Sequence, residues 1–379
     1  MNKLLIFYDF FTPAYKGGGI IRSLDNLSRC LVGEFEIFIF TSNNDLGSLE
    51  LLNVPSNQWV QYTSNVHVWY SQANTRGFAQ IKKLLITVRP DVVYINGMFT
   101  PSFVLFPLLL RNHLPFSARW VVAPRGMLQR GALSVKPFKK KIYLKFFKIL
   151  KLHRNIQWHA TDQQEGLDIR INFPHANVCL AYDTPKIDTP VYKPIKKESG
   201  YLHLVFISLI TAKKNIKELF ETLSKVLPFC QIELDVYGPI KDSDYWEECQ
   251  PFIQKLPAHV KTTYHGEINP SQVTSCLQNA HFFVLPSLGE NFGHAIYESF
   301  HACRPVIISD RTPWKNLQQY PAGWDFSLEE PDRLLEIIMD AAKMGQEKYD
   351  QYCIGAQEVA NKYLKDNDFL SQYKKLFGF

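Results

Sequence analysis

The sequence predicts an α/β protein built from two Rossmann-like domains that face each other across a cleft. The chain has 379 residues, which is long for one α/β core and suits two domains of about 180 residues each. Short apolar runs alternate with helical stretches along the whole chain, as in βαβ units stacked around parallel sheets. A segment with three prolines and adjacent charges interrupts this alternation near the middle. These three observations define the predicted fold class.

The first half of the chain alternates between strand candidates and helical patterns. The helix candidates include 20–30 and 78–88, and Pro90 follows the second. The apolar N-terminus is interrupted by Asp9, and no small-residue cleavage site follows it, so we interpret it as a strand and not as a signal peptide. The strand candidates are 4–10, 35–41, 92–96, 120–123, 157–160 and 178–181.

Residues 184–200 are predicted to link the two domains, because they contain prolines, charges and no usable periodicity. The predicted N-terminal domain covers 1–183 and the predicted C-terminal domain covers 201–365. A helix within 366–379, which has few apolar residues, is expected to pack back on the N-terminal domain. The strand candidates of the second half are 202–208, 233–237, 262–265, 282–285 and 306–309.

The composition is that of a folded protein of the reducing cytoplasm. Hydrophobic residues make up 46% of the chain and charged residues 21%, which excludes a disordered chain. The seven cysteines form no C-x-x-C pair and are expected to be reduced thiols. The longest apolar run, 103–110, is interrupted by Pro107 and is too short to span a bilayer.

The basic residues are concentrated in the first half. Residues 1–183 contain 21 Lys and Arg against 11 Asp and Glu, whereas the remainder contains 21 against 25. Residues 101–150 hold ten basic side chains and no acidic one. Such asymmetry indicates an anionic partner, which could be a nucleic acid, a membrane surface or a phosphorylated acceptor. The alternative is an ordinary solvated basic face.

Residues 136–151 form a predicted basic amphipathic helix with seven lysines. Lysines 141, 145 and 148 recur at helical spacing, and Ile142, Phe146 and Ile149 lie on a neighbouring face. A helix of this kind can lie on an anionic membrane surface. The alternative is a surface helix whose apolar side faces the domain core. No nucleic-acid recognition motif accompanies the charge, so a nucleic acid is not expected as a partner.

The segment 287–298 carries the strongest chemical signal. It follows the strand candidate 282–285, and Gly293 lies where a helix should begin. Free amide groups at a helix start attract a diphosphate or sugar hydroxyls. Glu290 and Glu298, on either side of that start, could each bind vicinal hydroxyls. In the alternative reading Glu290 only favours the helix dipole and Glu298 is a solvated side chain.

Together with Cys303-Arg-Pro-Val-Ile-Ile-Ser309, this segment resembles the E-x7-E region of the retaining GT-B glycosyltransferases, the large family usually numbered four. In that family the first Glu meets the donor sugar and the second meets the nucleotide ribose. The resemblance implies a catalytic role for Glu290 and a ribose-binding role for Glu298. It also implies that the residues between them bind the donor, namely Asn291, Phe292, Gly293 and His294.

The resemblance extends to two further loops. The glycine-rich segment 13–19 follows the first strand candidate, and Gly18 and Gly19 are expected to approach the donor phosphate or the acceptor; a plain tight turn is the alternative. The segment 206–215 matches a loop whose Arg and Lys face the donor diphosphate in the family. Lys214 fits the Lys and would act catalytically by stabilising the leaving group. Leu209 stands at the Arg position, so Lys213 is expected to share that charge unless both lysines are solvated.

Two positions of the first domain are candidates for acceptor binding. In the segment 121–127 many members of the family carry a His, and here Arg125 stands in its place. An Arg cannot act as a base but can hold an anionic acceptor or leaving group, so we assign Arg125 a catalytic and acceptor-binding role. Alternatively, it pairs with a carboxylate of its own domain. The segment 159–165 is expected to be a capping box, with an acceptor role for His159.

The Asp242-Ser-Asp244 sequence could be compared with the metal-binding D-x-D of another glycosyltransferase fold, but it precedes a helical stretch and is expected to cap it. The sequence contains no motif of a zinc or serine hydrolase. We therefore predict no metal site and no cofactor, with a nucleotide sugar as the donor substrate.

These features predict a cytoplasmic glycosyltransferase of hexosyltransferase type, peripheral on the inner face of the membrane. It would move a sugar from a nucleotide diphosphate sugar to a saccharide or lipid-linked acceptor in the biosynthesis of a surface polysaccharide, such as lipopolysaccharide, or of a similar glycan. Retention of configuration follows from the resemblance alone. Two alternatives stay open: a non-catalytic GT-B partner subunit that binds nucleotide sugar, suggested by Leu209 and Arg125, and a GT-B nucleotide-sugar epimerase.

Overall fold

The computed structural model describes residues 1–330 and 332–379, which form two compact α/β units. The first unit consists of Met1–Pro185 together with Asp368–Phe379, and the second unit consists of Lys186–Asn367. The segment 184–200, expected to be a linker, contains no helix or strand, and from Lys186 onward it belongs to the second unit.

The first unit is built on one mostly parallel sheet. Its strands are β1 (Asn2–Phe7), β2 (Phe35–Ser42), β3 (Trp59–Thr63), β4 (Val66–Ser71), β5 (Val92–Asn96), β6 (Arg119–Ala123), β7 (Gln157–Ala160) and β8 (Asn177–Leu180). Their order is β3-β4-β2-β1-β5-β6-β7-β8, and only the edge pair β3–β4 is antiparallel. The parallel strands are apolar in sequence because helices cover both faces of the sheet.

The helices of the first unit up to residue 185 differ in how much apolar surface they bury, from several side chains in the first two helices to none in the fourth. They are α1 (Gly19–Cys30), α2 (Phe78–Val88), α3 (Phe106–Leu110), α4 (Arg130–Ser134), α5 (Pro137–Ile149) and α6 (Gln163–Asn172). A hydrophobic core lies on each side of the sheet, and strand β1 contributes side chains to both. Leu4 and Ile6 pack on one side, whereas Leu5 and Phe7 pack on the other. This alternation follows from the period of two in a strand.

The second unit repeats the scheme with a fully parallel sheet. Its strands are β9 (Tyr201–Ile207), β10 (Gln231–Tyr237), β11 (Val260–Tyr264), β12 (Phe282–Leu285), β13 (Val306–Ser309) and β14 (Gly323–Phe326). Their order in the described part of the unit is β11-β10-β9-β12-β13-β14. The helices are α7 (Ile216–Leu223), α8 (Ser243–Gln254), α9 (Pro270–Asn279), α10 (His294–His301), α11 (Arg333–Lys343) and α12 (Gln346–Asp366).

Each sheet has one point where the strand order reverses. In the first unit the chain builds outward from β1 in one direction and from β5 in the other, so the reversal lies between these neighbours. In the second unit it lies between β9 and β12. Ligands of open parallel sheets bind beyond the carboxyl ends of the strands at such a switch point. The loops after these four strands are therefore the places to search for a site.

The last helix, α13 (Phe369–Phe377), is part of the first unit. It was expected to be poor in apolar residues, but it buries a stripe of four side chains, at Phe369, Tyr373, Leu376 and Phe377. Arg119 Nε donates to the carbonyl oxygen of Leu376 at 3.0 Å, which ties the end of the helix to β6.

Every predicted strand overlaps an observed one, but three observed strands were not predicted. The hairpin β3–β4 lies at the sheet edge and mixes Trp and Tyr with polar residues, so it lacks a continuous apolar run. The strand β14 has only four residues and begins with a glycine. In addition, β1 ends at Phe7 and not at residue 10, which places Asp9 in the loop beyond the strand.

Candidate functional site

Two loops of the second unit meet beyond the carboxyl ends of β9 and β12. A short 3-10 turn, Ala212–Lys214, follows β9 and leads into α7. The backbone N–H of Leu288, in the loop after β12, donates to the carbonyl oxygen of Lys213 at 2.8 Å. The N–H of Glu290 donates to the carbonyl oxygen of Arg311 at 3.1 Å. Main-chain hydrogen bonds therefore fix both loops at the switch point.

The side chains of Lys214 and Glu290 form an ion pair at this junction. Lys214 Nζ donates to Glu290 Oε1 at 2.5 Å, and the two side chains are only 18% and 10% exposed. Charge-assisted hydrogen bonds of this kind are short and strong. An ammonium group has three donor hydrogens, so Lys214 can contact a phosphate oxygen while it stays bonded to Glu290. The structure thus brings together two of the predicted catalytic residues.

The start of α10 lies in the same loop and has the form of an anion site. Gly293 has a φ of +76°, and a Cβ at this position would lie 2.8 Å from Ile296 Cδ1, so only glycine fits without strain. The cap residue, Gly293, has no side chain that could cap the helix, and the first turn contains no acidic residue. The dipole and the amide groups of the first turn therefore favour a negative charge here.

The other predicted donor-binding residues occupy different surroundings. Phe292 is buried and packs on the Trp314 ring at a centroid distance of 5.5 Å, and Trp314 Nε1 donates to the Phe292 carbonyl at 2.7 Å. Phe292 therefore anchors the loop through its core contacts. Lys213 has an exposed side chain, whereas Glu298 is half-buried in the second turn of α10. Asn291 precedes Phe292, and His294 is the first residue of the helix.

The first unit encloses Arg125 in a buried polar cluster. Arg125 Nε donates to Asn96 Oδ1 at 2.8 Å, its Nη2 donates to Tyr94 Oη at 3.0 Å, and its Nη1 pairs with the Asp183 carboxylate. The Arg125 side chain is 3% exposed. The structure therefore supports the alternative in which Arg125 pairs with a carboxylate of its own domain, and it does not support an acceptor-binding or catalytic role.

His159 belongs to the same cluster. Its Nδ1 lies 2.7 Å from Tyr94 Oη and its Nε2 lies 2.8 Å from the carbonyl oxygen of Ala181. Burial, together with the neighbouring Arg125 charge, lowers the pKa of His159 to about 3, so the ring is neutral. The side chain is fully buried and both nitrogens have partners. The expected acceptor role of His159 is therefore corrected to a structural one.

The predicted capping box at the start of α6 is confirmed, with a modification. Asp162 is the N-cap and accepts the N–H of Glu165 at 2.7 Å. Glu165 reaches back to the N–H of Thr161 at 2.8 Å and also accepts the N–H of Gly126 at 2.7 Å. The box thus holds the loop that carries Arg125.

The glycine-rich loop precedes α1, as the sequence predicts. Gly18 has a φ of +79° and stands immediately before Gly19, the first residue of the helix. The Asp45 carboxylate accepts the N–H groups of Tyr15 and Lys16 at 2.9 and 3.1 Å, which holds the loop against the first unit. The expected contact of Gly18 and Gly19 with a ligand stays a prediction.

Asp242 caps the helix α8, as the sequence predicts. Asp242 Oδ1 accepts the N–H of Tyr245 at 3.1 Å at the start of α8. Among residues 1–330 and 332–379, no group of three His, Cys, Asp or Glu side chains is arranged to hold a metal ion.

One carboxylate near the first switch point was not among the predicted site residues. Asp9 lies beyond β1, and Thr100, which follows β5, donates from Oγ1 to Asp9 Oδ2 at 3.0 Å. Asp9 was assigned to the interior of a predicted strand, so its position in a loop was not expected. The only signal in the sequence was a charged residue interrupting an apolar run.

The helix α5 presents an exposed surface that is both basic and apolar. Phe138, Ile142, Phe146 and Ile149 are 75, 40, 58 and 61% exposed, and only Phe147 of this helix is buried. These residues and the lysines between positions 136 and 151 are called the α5 surface below. The alternative in which the apolar side faces the core therefore does not hold for Ile142, Phe146 and Ile149, and the contact with a membrane surface stays a prediction. In the part of the chain that the structure describes, no helix is long and apolar enough to cross a membrane.

Several solved structures match nearly the whole chain. A TarM variant from S. aureus, in complex with fondaparinux, alpha-GlcNAc-glycerol and UDP, has a TM-score of 0.69 and 12% identity over 100% of both chains. Anabaena Alr3699/HepE in complex with UDP and glucose has a TM-score of 0.67 and 14% identity, over 99% of this chain and 98% of that chain. WaaG, a glycosyltransferase involved in lipopolysaccharide biosynthesis, has a TM-score of 0.60 and 13% identity over the same shares.

The two parallel sheets and these structural neighbours establish the GT-B fold. Within it, residues 191–350 match the family model described as glycosyl transferases group 1. The matched segment contains Lys214, Glu290 and the start of α10, and the match supports the group 1 family. Among curated proteins, no sequence matches the chain significantly.

Proposed function

We propose that the protein is a glycosyltransferase that moves a hexosyl group from a nucleoside diphosphate sugar to a saccharide or lipid-linked acceptor, with retention of configuration. The observation that carries the proposal is the junction of Lys214, Glu290 and the start of α10 at the switch point of the second unit. A cation, a carboxylate and a helix start with glycine as its cap residue together match the chemistry of a sugar diphosphate.

Each part of the junction has a defined task in this reaction. The Lys214 ammonium and the amide groups at the start of α10 would stabilise the charge of the leaving diphosphate. The Glu290 carboxylate would accept hydrogen bonds from sugar hydroxyls and so orient the ring. Glu298, in the second turn of the helix, would hold the ribose. Because a lysine and a helix start neutralise the phosphates, we propose that transfer needs no metal ion.

The α5 surface suggests where the acceptor is met. Clustered lysines and exposed apolar side chains on one helix match an anionic bilayer, in which the apolar groups enter the interface and the lysines contact lipid phosphates. We propose a peripheral position on the inner face of the membrane, in the biosynthesis of a surface polysaccharide. WaaG, a glycosyltransferase involved in lipopolysaccharide biosynthesis, shares the fold.

The decisive experiment measures nucleoside diphosphate release. A panel of nucleoside diphosphates, tested by thermal stabilisation, first selects the base; a ligand at 100 times its Kd adds about 2.7 kcal/mol. The corresponding nucleotide sugars are then incubated with and without saccharide acceptors, in excess chelator. A glycosyltransferase releases diphosphate together with a glycosylated product, and the chelator has no effect.

Other outcomes identify the alternatives. Conversion of the donor sugar to its epimer without an acceptor would indicate an epimerase. Binding of the nucleotide sugar without turnover would indicate a non-catalytic subunit, and Leu209 in the position of an expected Arg is the observation that favours this case. Activity that is lost in chelator and restored by manganese or magnesium would contradict metal independence.

A further inference from the structure

The switch point of the first unit carries a pair of polar side chains. Asp9 follows β1 and Thr100 follows β5, and these are the two strands between which the strand order reverses. The 3.0 Å hydrogen bond from Thr100 Oγ1 to Asp9 Oδ2 joins the two loops. The carbonyl oxygen of Asp9 accepts the N–H of Ser42 at 3.1 Å, so its main chain is also fixed. Asp9 is therefore held where a ligand of this sheet would bind.

Three other enclosed carboxylates of the first unit form hydrogen bonds or an ion pair that hold the fold together. Asp45 accepts the N–H groups of the glycine-rich loop, Glu165 accepts those of Thr161 and Gly126, and Asp183 pairs with Arg125. The Asp9 carboxylate caps no helix and forms no ion pair within the described residues of this unit, and Thr100 is its side-chain donor. A carboxylate can accept about four hydrogen bonds, so Asp9 retains acceptor capacity.

Arg76 acts on Asp9 through its charge and forms no ion pair with it in the part of the chain that the structure describes. Arg76 interacts with Asp9 only at longer range, because its Nη2 donates to the carbonyl oxygen of Ser71 at 2.9 Å and to Asn44 Oδ1 at 3.0 Å. Burial raises the pKa of Asp9 to about 6. A partly buried carboxylate without a cap or cation partner costs free energy, and such groups are concentrated at functional sites.

We propose that Asp9 binds a hydroxyl group of the acceptor saccharide and that Thr100 positions the carboxylate for it. The inference rests on the proposed function and specifies the substrate class met by the first unit. An ionised carboxylate is a stronger acceptor for a sugar hydroxyl than a neutral group, and the hydrogen bond orients that hydroxyl. The proposal assigns the acceptor to the open end of the first sheet, which Arg125 and His159 do not reach because they are buried.

The test compares Asp9→Asn with Asp91→Asn. Asp91 precedes β5 and so lies at the amino ends of the strands, opposite the proposed site. Its carboxylate accepts the N–H of Lys3 at 2.7 Å. Transfer is measured with the nucleotide sugar that the diphosphate panel selects and with methyl glycosides of glucose, galactose, mannose and N-acetylglucosamine as probe acceptors. For Asp9→Asn we expect the acceptor KM to rise about 10- to 100-fold, as for the loss of a charged hydrogen bond. The donor KM and the diphosphate affinity of Asp9→Asn should stay within about twofold of the wild-type values. For Asp91→Asn the acceptor KM, the donor KM and the diphosphate affinity should all match the wild type.

The pH dependence gives a second readout. The groups that face Asp9 are Thr100, Arg76 and Tyr8, and burial raises the pKa of Tyr8 far above neutrality, so it does not titrate in this range. The acceptor KM of the wild type should therefore rise as the pH falls below about 6, while that of Asp9→Asn should stay flat. If Asp9→Asn does not fold, Thr100→Val, which leaves the carboxylate in place but unpositioned, should raise the acceptor KM as well.

Several results would overturn the inference. An unchanged acceptor KM in both Asp9→Asn and Thr100→Val removes Asp9 from the acceptor site. An equal rise in the donor KM assigns the effect to general damage. A wild-type enzyme that hydrolyses the donor but transfers to none of the four glycosides excludes a saccharide hydroxyl at Asp9. Failure of the wild type to bind any nucleoside diphosphate contradicts the proposed function itself, which distinguishes that failure from the loss of the Asp9 assignment.

Discussion

Lys214 and Glu290 are 76 positions apart in the sequence and form one ion pair in the structure. Their loops follow adjacent strands, β9 and β12, and parallel strands present their carboxyl ends at the same sheet edge. The sequence motif therefore predicted both residues, but the contact between them depends on the strand order. A lysine already held by a carboxylate enters the reaction with little loss of side-chain freedom, which favours transition-state stabilisation.

The first prediction at this scale concerns Lys214. Its replacement in Lys214→Ala removes a charged donor from the leaving diphosphate, so the transfer rate should fall by about 100-fold or more. The affinity for the nucleoside diphosphate, measured by calorimetry, should fall by about 10- to 100-fold. The matched control is Lys241→Ala, at an exposed lysine of the same unit, which should retain both values. Wild-type turnover in Lys214→Ala would show that another cation stabilises the diphosphate.

The second prediction concerns His281, which is buried at the start of β12. Its Nδ1 accepts the N–H of His203 at 2.9 Å, and its Nε2 donates to the carbonyl oxygen of Lys196 at 2.9 Å. Burial lowers the pKa of His281 to about 4, whereas an unfolded histidine titrates near 6.5. The unfolded state therefore binds more protons between these values. The stability should be independent of this group above pH 6.5 and should fall by about 1.4 kcal/mol per pH unit between pH 6.5 and 4.

The variant His281→Gln tests this dependence, because an amide can both accept and donate but does not titrate. Its free energy of unfolding, measured by denaturant titration at several pH values, should decrease less steeply below pH 6.5 than that of the wild type. The exposed His175 provides the control, and His175→Gln should keep the wild-type slope. If the free energy of unfolding has the same pH dependence in His281→Gln and in the wild type, His281 is not a neutral buried histidine.

Individual residues were harder to assign than the motifs that contain them. The donor loops could be predicted because the chemistry lies in contiguous segments around Lys214 and Glu290. The environment of Arg125 could not, because its partners Tyr94 and Asp183 come from distant parts of the chain. Asp9 was not predicted as a site residue because the predicted strand extended a few residues beyond the observed end of β1. Sequence patterns define the ends of strands poorly.

At the scale of elements, apolar periodicity identified the buried parallel strands and failed at the sheet edges. Strands covered on both faces give continuous apolar runs, as in β5 and β12, whose residues are all buried. The hairpin β3–β4 is covered less completely, and β14 is short, so neither produces such a run. The helix α5 was predicted from its amphipathic pattern, but such a pattern does not tell which neighbour covers the apolar side.

The α5 surface gives the prediction at this scale. Each lysine near an anionic surface contributes about 1 kcal/mol, so Lys141→Gln with Lys145→Gln should weaken binding to anionic vesicles by about 2 kcal/mol, or roughly 30-fold. Lys140 is left unchanged because its Nζ donates to the carbonyl oxygen of Ala132 at 2.7 Å. The measurement is co-sedimentation with phosphatidylglycerol-containing vesicles, and binding should weaken as salt is added.

A matched pair on another helix controls for total charge. Lys82 and Lys83 are exposed on α2, and their change to Gln should leave vesicle binding unchanged. Phe146→Ser should reduce binding without removing charge, since an exposed aromatic ring enters the interface. If all variants sediment equally with the vesicles, or if the wild type does not sediment, the α5 surface does not bind lipid. A protein would then be the remaining candidate partner for this surface.

At the scale of the whole molecule, the first unit depends on residues from both ends of the described chain. The Phe377 ring lies 5.7 Å from the Phe35 ring and 5.4 Å from the Tyr94 ring, and the Tyr373 ring lies 5.5 Å from His159. Lys374 also pairs with Glu34 at 2.9 Å. The helix α13 therefore covers the part of the core that includes the Arg125 cluster.

The last prediction is that removal of residues 368–379 unfolds the first unit. Burial of the four side chains of α13 contributes on the order of 6–12 kcal/mol, which equals the stability of a typical domain. Hydrogen exchange should become fast throughout Met1–Pro185, while Lys186–Asn367 keeps its protection. Removal of Phe379 alone, which is half exposed, is the control and should have a small effect. Slow exchange in the first unit of the truncated chain would contradict the prediction.

This arrangement also sets an order of events during synthesis. Domains generally fold as they leave the ribosome, beginning at the N-terminus. Here the first unit is begun first but lacks α13 until residues 368–379 have been made, by which time every residue of the second unit has already been synthesised. The unit that starts earlier is thus completed later. A translation product that stops at residue 367 would leave the aromatic groove for α13 open, which is the kind of surface that chaperones and proteases recognise.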